Sequence, residues 1–419
     1  MFLEKYSIGI GDRFAHQGKA QLQALINARA NGLNIVPVWN KSHREHTIIK
    51  TSPADVRKEA DIATTQMRWP HSYYVDADHI SLKNVDLFMA SSDFFTLDVA
   101  DFIGQPIAQA DIDAFIAKHR NLAANLAIPG IDQPLKITKQ QIAAIAAKFL
   151  LAVKQAGKIY HHIQNAKGSD NFITEVSMDE TDSPQTPVEM LFILAAIADE
   201  RIPAQTIAPK FTGRFNKGVD YVGNVNTFTN EFEQDLAVIR YAVNEFSLPA
   251  NLKLSVHSGS DKFSIYSPIA KALQKYDAGL HLKTAGTTWL EELIGLALAG
   301  GHGLEIAKQI YEIAFDRFDE LCKPYASVID IDPAKLPSPR TVADWPGKQY
   351  ADTLRHDQSC DQYNPHFRQL LHVAYKVAAE LDSQYLTALT EHENIIAQNV
   401  TQNIYHRHIK KVFIPPSQT

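Results

Sequence analysis

The sequence predicts an α/β protein built on a closed (β/α)₈ barrel of the TIM type, with a helical insertion and C-terminal helices. Three observations carry this reading. Strand-like runs alternate with helix-like segments, as in parallel β/α units and unlike an antiparallel sheet. Eight such runs can be counted, each with room for a helix after it. The competing doubly wound sheet would need a phosphate-binding glycine fingerprint after the first run, and Gly9-Ile10-Gly11-Asp12 lacks the third glycine.

The first run is Tyr6 to Ile10, followed by a helix-like Lys19 to Ala30. Asn34 to Trp39 is the second, His71 to His79 the third and Phe94 to Val99 the fourth. Residues 104–168 exceed what a minimal barrel needs and read as an inserted helical hairpin, with Ala, Ile and Leu repeating at helical spacing from Ile137 to Gly157. The remaining strands are Asn171 to Ser177, Thr206 to Phe211, Leu252 to His257 and Leu280 to Thr284. Trp289 to Tyr325 reads as helical, a turn follows at Pro333, Pro337 and Pro339, and 364–412 reads as long helices before an exposed tail at Pro415-Pro416-Ser417. The expected division is a catalytic barrel over 1–325 and a helical extension packed on it over 326–419.

Composition narrows the function classes. At 419 residues, 45% apolar and 21% charged, the chain is globular, and disorder, collagen and coiled coil are excluded. The longest apolar runs, Phe149–Val153 and Ile294–Ala299, fall far short of the roughly 18 to 20 residues that span a bilayer. Met1-Phe2-Leu3-Glu4-Lys5 has neither the basic start nor the apolar run of a secretion signal, so a cytoplasmic protein without membrane contact is expected. Cys322 and Cys360 have no CxxC spacing and read as packing residues of a reducing compartment. The net charge of −6 is spread along the chain without a basic stripe, which excludes nucleic acid as a partner. The cluster His406, Arg407, His408, Lys410 and Lys411 reads as a final helical turn complementing its own dipole. A homo-oligomer is compatible with all of this.

In such barrels the reactive groups stand at the C-terminal ends of the strands. Those ends supply Asp12, Arg13 and His16, then Asp76, Asp78 and His79, then Asp98; later strands add Glu175, Asp179 and Glu180, Lys210, His257 with Asp261 and Lys262, and His281 with Lys283. Polar groups inside apolar strands cost free energy unless paired or functional. His79, His257 and His281, arriving from three strands that face one axis, are donors for a divalent cation of the Zn, Ni or Mn class, with Asp220 in reserve as a ligand or a helix cap. Asp78 and Glu175 are the acid–base candidates; a helix cap and a salt bridge to Lys210 are their structural alternatives. Lys210, Lys262 and Lys283 could neutralise a substrate carboxylate or phosphate, and Lys210 could form a Schiff base. With Asp220 and Asp261, Lys210 and Lys262 make up the expected substrate-binding set.

Five blocks in chain order resemble the tagaturonate epimerase family: Val75-Asp76-Ala77-Asp78-His79, Phe172 to Thr181, Lys217-Gly218-Val219-Asp220-Tyr221, His257-Ser258-Gly259-Ser260-Asp261-Lys262-Phe263 and His281 to Thr287. The resemblance runs from about residue 6 to the C-terminal helices. It implies interconversion of D-tagaturonate and D-fructuronate, a divalent metal, Asp78 as proton acceptor, Glu175 as proton donor, and His79 and His257 as ligands. Epimerisation of neutral ketohexoses (tagatose and fructose), a metal-dependent aldolase or isomerase of sugar acids, and a catalytically dead sugar-acid binder are the alternatives.

Overall fold

A computed structural model describes residues 1–181, 183–284 and 287–414; the expected tail at Pro415–Ser417 lies outside them, as do Ala285 and Gly286 of the last block. The strands are β1 (Tyr6–Ile10), β2 (Ile35–Ser42), β3 (Tyr74–Ile80), β4 (Phe94–Asp98), β5 (Ile173–Ser177), β6 (Thr206–Ala208), β7 (Lys253–Val256) and β8 (Leu280–Lys283). Each pairs in parallel with the next, and β8 returns to β1 with Tyr6 opposite Leu280 and Gly9 opposite Lys283, closing the barrel. All eight expected runs are strands of this barrel. The boundaries differ where polar residues meet the rim. β2 continues through Asn40 and Lys41, which are buried against β3, and β6 stops at Ala208.

Side chains alternate along a strand, so every second residue enters the barrel. The lowest interior layer is apolar: Leu3 plugs it and Val36, Val38, Tyr74, Phe94 and Ile173 pack around it. Two residues higher the same strands carry Asp76, Thr96 and Glu175, and Lys283 enters from β8. The barrel interior therefore changes from apolar to ionic over one step of about 6.6 Å, twice the rise per residue. Lys283 crosses this layer because Gly9 has no side chain; a Cβ there would lie 3.0 Å from the Lys283 Cα and 3.1 Å from its Cγ.

The segment after β4 holds helices Gln109–Lys118 and Lys139–Lys167, joined by a short antiparallel pair, Asn125–Leu126 with Leu135–Lys136, which its polar sequence did not suggest. The long helix starts at a capping box formed by Thr138 and Gln141. Helix Thr288–Ala299 is buried nearly all round. Trp289 Nε1 donates to Leu371 O at 2.7 Å, Tyr385 Oη to Glu292 at 2.8 Å and Asn403 Nδ2 to Glu291 at 2.8 Å, which fasten it to the C-terminal segment. The expected long helices of 364–412 are instead four short ones, Pro365–Val373, Tyr375–Leu381, Ser383–Glu391 and Glu393–Gln402, followed by a π-helical stretch over Asn403–Ile409. Asp382, at φ +47°, makes one of the breaks. No helix of the described residues is long and apolar enough to cross a membrane.

Candidate metal centre and active-site cleft

The C-terminal end of the barrel opens into a cleft of about 400 Å³ whose lining includes Arg13, Arg44, Asp78, His79, Asp179, Glu180, Lys217, His257 and Lys283. Asp76 and Asp78 both point into the barrel because they are two apart on β3, and Asp78, the higher one, lines the cleft. His79 should then point outward. It does not, because the β3–β4 register slips between Ala77 and Ile80 and His79 takes φ +54°, a left-handed conformation uncommon for residues other than glycine. The bulge re-aims the imidazole, so two consecutive residues both serve the cleft.

His79, Asp179 and His257 offer one ligand atom each, all within 4.8 Å of one another. His79 Nε2 lies 3.5 Å from Asp179 Oδ1, and His257 Nδ1 lies 3.3 Å from the same oxygen. Two donors each about 2.1 Å from a shared ion at tetrahedral angles stand roughly 3.4 Å apart, so the spacing suits one cation. Neither nitrogen has a hydrogen-bond partner. The opposite nitrogens are both held by carboxylates: His79 Nδ1 is 2.9 Å from Asp78 Oδ1, and His257 Nε2 is 2.7 Å from Glu175 Oε1. That is the carboxylate–histidine arrangement that fixes tautomer and ring direction in metal sites.

Charge tells the same story. The Lys283 ammonium touches Asp76 Oδ2 at 2.9 Å, Asp78 Oδ1 at 2.9 Å, Glu175 Oε1 at 3.1 Å and Thr96 Oγ1 at 2.7 Å. Burial would lower its pKa, yet these acids hold it well above the ordinary lysine value. Burial also opposes the charge on Asp78, Glu175 and Asp179, but Lys283 and the two imidazoles hold all three below the usual carboxylate range. Asp76 is the exception, raised to about 6 by burial despite Lys283, with Asp78 and Glu175 adding to the rise. Burial depresses both imidazoles, and the acids overcome it: Asp78 and Asp179 raise His79 well above its normal value, and Asp179 raises His257. The donor set, two nitrogens and one oxygen backed by excess negative charge, fits a divalent ion of borderline softness.

The structure brings Asp78, His79, Glu175 and His257 together, and the other expected ligand and substrate-binding residues stand apart from that group. His281 is no ligand of this group: it pairs with Ser255, two residues below His257, so its ring sits one layer deeper, 2.9 Å from Ser7 Oγ and against Phe94, with burial lowering its pKa to about 3. Lys210 is not in the cleft lining and makes no ion pair with Glu175, which is paired with Lys283 at 3.1 Å. Asp220 Oδ1 accepts from Ser264 N and Oγ at the start of helix Phe263–Tyr276, a capping role. Asp261 is fully buried and ion-paired to Arg368 at 2.7 Å, away from the lining. Lys262 lines the cleft, but its ammonium donates to the carbonyls of Asn216, Val219 and Ser260, each at 2.8 Å. The basic end cluster is not a plain helix terminus either, since His408 is fully buried against Asp261. The sequence reading passed over Asp179 as a ligand, although it lies two residues past β5, where Ser177 Oγ donates to it at 2.6 Å.

Comparison with known proteins now bears on this site. The family model described as tagaturonate epimerase matches residues 1–412. The chain belongs to that family. It is an isomerase-class enzyme, an epimerase. A curated relative, the tagaturonate/fructuronate epimerase of Thermotoga maritima, is 26% identical over 96% of this chain and 80% of its own length. Crystal structures of the fructuronate-tagaturonate epimerase from Cohnella laeviribosi share the fold: a glycerol complex aligns with a TM-score of 0.81 at 21% identity, and the native form with 0.80 at 19%, each over 98% of this chain and 82% of that one.

Proposed function

We propose that this epimerase interconverts D-tagaturonate and D-fructuronate, in the cytoplasm, as a step of hexuronate breakdown, and that it depends on a divalent cation of the Zn, Ni or Mn class held by His79, Asp179 and His257. The observation that carries the proposal is the pair of carboxylate-backed imidazoles converging on Asp179 at the mouth of the barrel of a tagaturonate epimerase family member. Residues 1–325 are read as the catalytic barrel with its insertion near 104–168, and 326–419 as the helical extension that packs on it.

Numbered from the carboxylate, the hexulosonate carries its ketone at C5 and inverts at C3. The C3 hydrogen is two bonds from the ketone and is not acidified by it, whereas the C3 hydroxyl is β to the ketone and suited to retro-aldol cleavage. In that path a base takes the C3 hydroxyl proton, the C3–C4 bond breaks with its electron pair going to C4, and C3 becomes an aldehyde. Rotation about C2–C3 presents the other face, re-addition of C4 re-forms the bond, and the alkoxide regains a proton. His79, Asp179 and His257 would hold the divalent cation, which would supply Lewis-acid stabilisation of negative charge on the substrate. Asp78 is the proton acceptor: it lines the cleft and is held ionised, and Lys283 at 2.9 Å steadies it. Glu175 has no exposed surface, so the donor role implied by the resemblance has to run through His257, and its geometry is that of a positioning residue.

The test is to incubate the protein with tagaturonate and each of several divalent metals and to resolve the epimers, using substrate deuterated at C3. The proposal expects fructuronate with the label retained. Washout of the label at the rate of epimerisation would refute carbon–carbon cleavage, and conversion of fructose in place of the sugar acids would refute the substrate. For Glu175→Gln, a fall in metal affinity of about 10- to 100-fold marks a positioning role. A lower kcat at full metal occupancy marks a donor.

A further inference from the structure

A uronate differs from a neutral ketohexose by one carboxylate, so a cleft built for it needs a cation not already committed to the protein. Lys283 is surrounded by acids and Lys262 by backbone carbonyls. Arg13 is engaged by Glu45 at 3.2 Å. Lys217 and Arg44 remain in the lining, and neither has a carboxylate within ion-pair distance among the described residues.

The backbone around Lys217 is held from every side. Lys262 binds the carbonyls of Asn216 and Val219, Arg368 Nε donates to Gly218 O at 2.5 Å, and Lys217 N donates to Val328 O at 2.8 Å. Gly218 takes φ +74°, where a Cβ would stand 3.1 Å from the His372 ring. Burial lowers the pKa of Lys262 to about 7, a sizeable cost for a residue that touches only carbonyls, and its effect is to fix the segment that presents Lys217. Arg44 is placed by the same surroundings. Its guanidinium lies 4.7 Å from the centre of the Tyr325 ring, Tyr325 shares a 2.7 Å hydrogen bond with Tyr375, and Tyr375 carries Arg13 at 4.3 Å. Two hydrogen-bonded tyrosines thus seat two arginines beside a clamped lysine. Burial disfavours the charge on Lys217 first, and Arg44 adds to that; a bound anion would offset both.

We propose that Lys217, assisted by Arg44, is the carboxylate-recognition subsite of the cleft, and that it anchors the acid end of the hexulosonate. This deepens the proposed function and rests on it for the identity of the substrate. It makes Lys217 the residue that separates sugar acids from neutral ketoses.

The test begins with binding of an inert hexonate, D-galactonate, and its uncharged analogue galactitol to the metal-loaded protein, by calorimetry. Wild type should hold galactonate at least about tenfold more tightly than galactitol, and Lys217→Met should weaken galactonate by about 10- to 100-fold while leaving galactitol and the melting temperature unchanged. Lys217→Arg should recover most of the loss, and Arg44→Met should cost a few-fold. In turnover of tagaturonate, Lys217→Met should raise KM far more than it lowers kcat. Equal galactonate affinity in wild type and Lys217→Met would overturn the subsite. Loss of galactonate binding in Lys217→Met, from a wild type that epimerises no uronate, would uphold the subsite and overturn the function it serves.

Discussion

Two clusters in this molecule set a pair of histidines around one aspartate, and they behave in opposite ways. In the cleft, His79 and His257 face Asp179; where the barrel meets the C-terminal segment, His356 and His408 lie 3.8 and 3.7 Å from Asp261. The cleft pair has a further carboxylate behind each ring, so the acids outweigh burial and both pKa values rise. In the second cluster Arg368 takes up the charge of Asp261, both rings pack against Phe263, and burial lowers both values, that of His408 to about 4. The lone pairs of His408 are engaged as well. His408 Nε2 accepts the Asp261 N–H at 3.1 Å and its Nδ1 is 3.0 Å from Asn403 O, so neither is left for a ligand. A histidine pair takes up the donor arrangement of a metal site when carboxylates hold the outer nitrogens; beside an arginine and an aromatic ring, the same residue types tie helices to a barrel.

Removing one ring from the cleft should have the largest effect. His257→Ala should reduce metal affinity by more than the roughly 10- to 100-fold expected for loss of an outer partner, and take turnover to near background, in a protein whose melt is close to wild type. Metal titration and activity on one preparation check both. Asp78→Asn should follow, with turnover down by about 10² to 10⁴. A folded, fully active Asp78→Asn would reduce Asp78 to a partner of His79 and Lys283.

The second cluster should respond in stability instead. Arg368→Met leaves Asp261 buried without its cation, and breaking such a pair costs about 3 to 5 kcal/mol. Denaturant melts should record that loss, and the folded fraction should keep its metal. Acid has a smaller effect. His408 has a pKa near 4 when folded and about 6.5 when unfolded, so between those values the unfolded chain takes up a proton that the folded one refuses. Stability is therefore full above about pH 6.5 and falls as the pH drops towards 4, by on the order of 3 kcal/mol from this residue alone. His408→Gln should flatten that part of the stability profile; an unchanged slope would mean that other buried histidines, such as His281, carry it.

Much of this was legible in the sequence. Strand periodicity placed all eight barrel strands, and reading their C-terminal ends found Asp78, His79, Glu175 and His257. What escaped depends on depth and on partners. His281 and His257 look alike at strand ends, but β8 continues two residues past His281, which drops it a layer below the cleft. Asp261 and Lys262 sit in the same block as His257, and only the fold reveals Arg368, more than a hundred residues away, and the carbonyls that engage them. Lys217 was passed over because what distinguishes it is the lack of an ion-pair partner among the described residues, which no pattern along the chain records.

Epimerisation should depend on a cation held by His79, Asp179 and His257. The most direct measurement is metal content by elemental analysis, with tagaturonate turnover followed on the same sample as purified, after exhaustive chelation and after re-addition of Zn, Ni or Mn. About one divalent ion per chain should be present, with metal and turnover both lost on chelation and both recovered on re-addition. Full turnover in metal-free protein would contradict it.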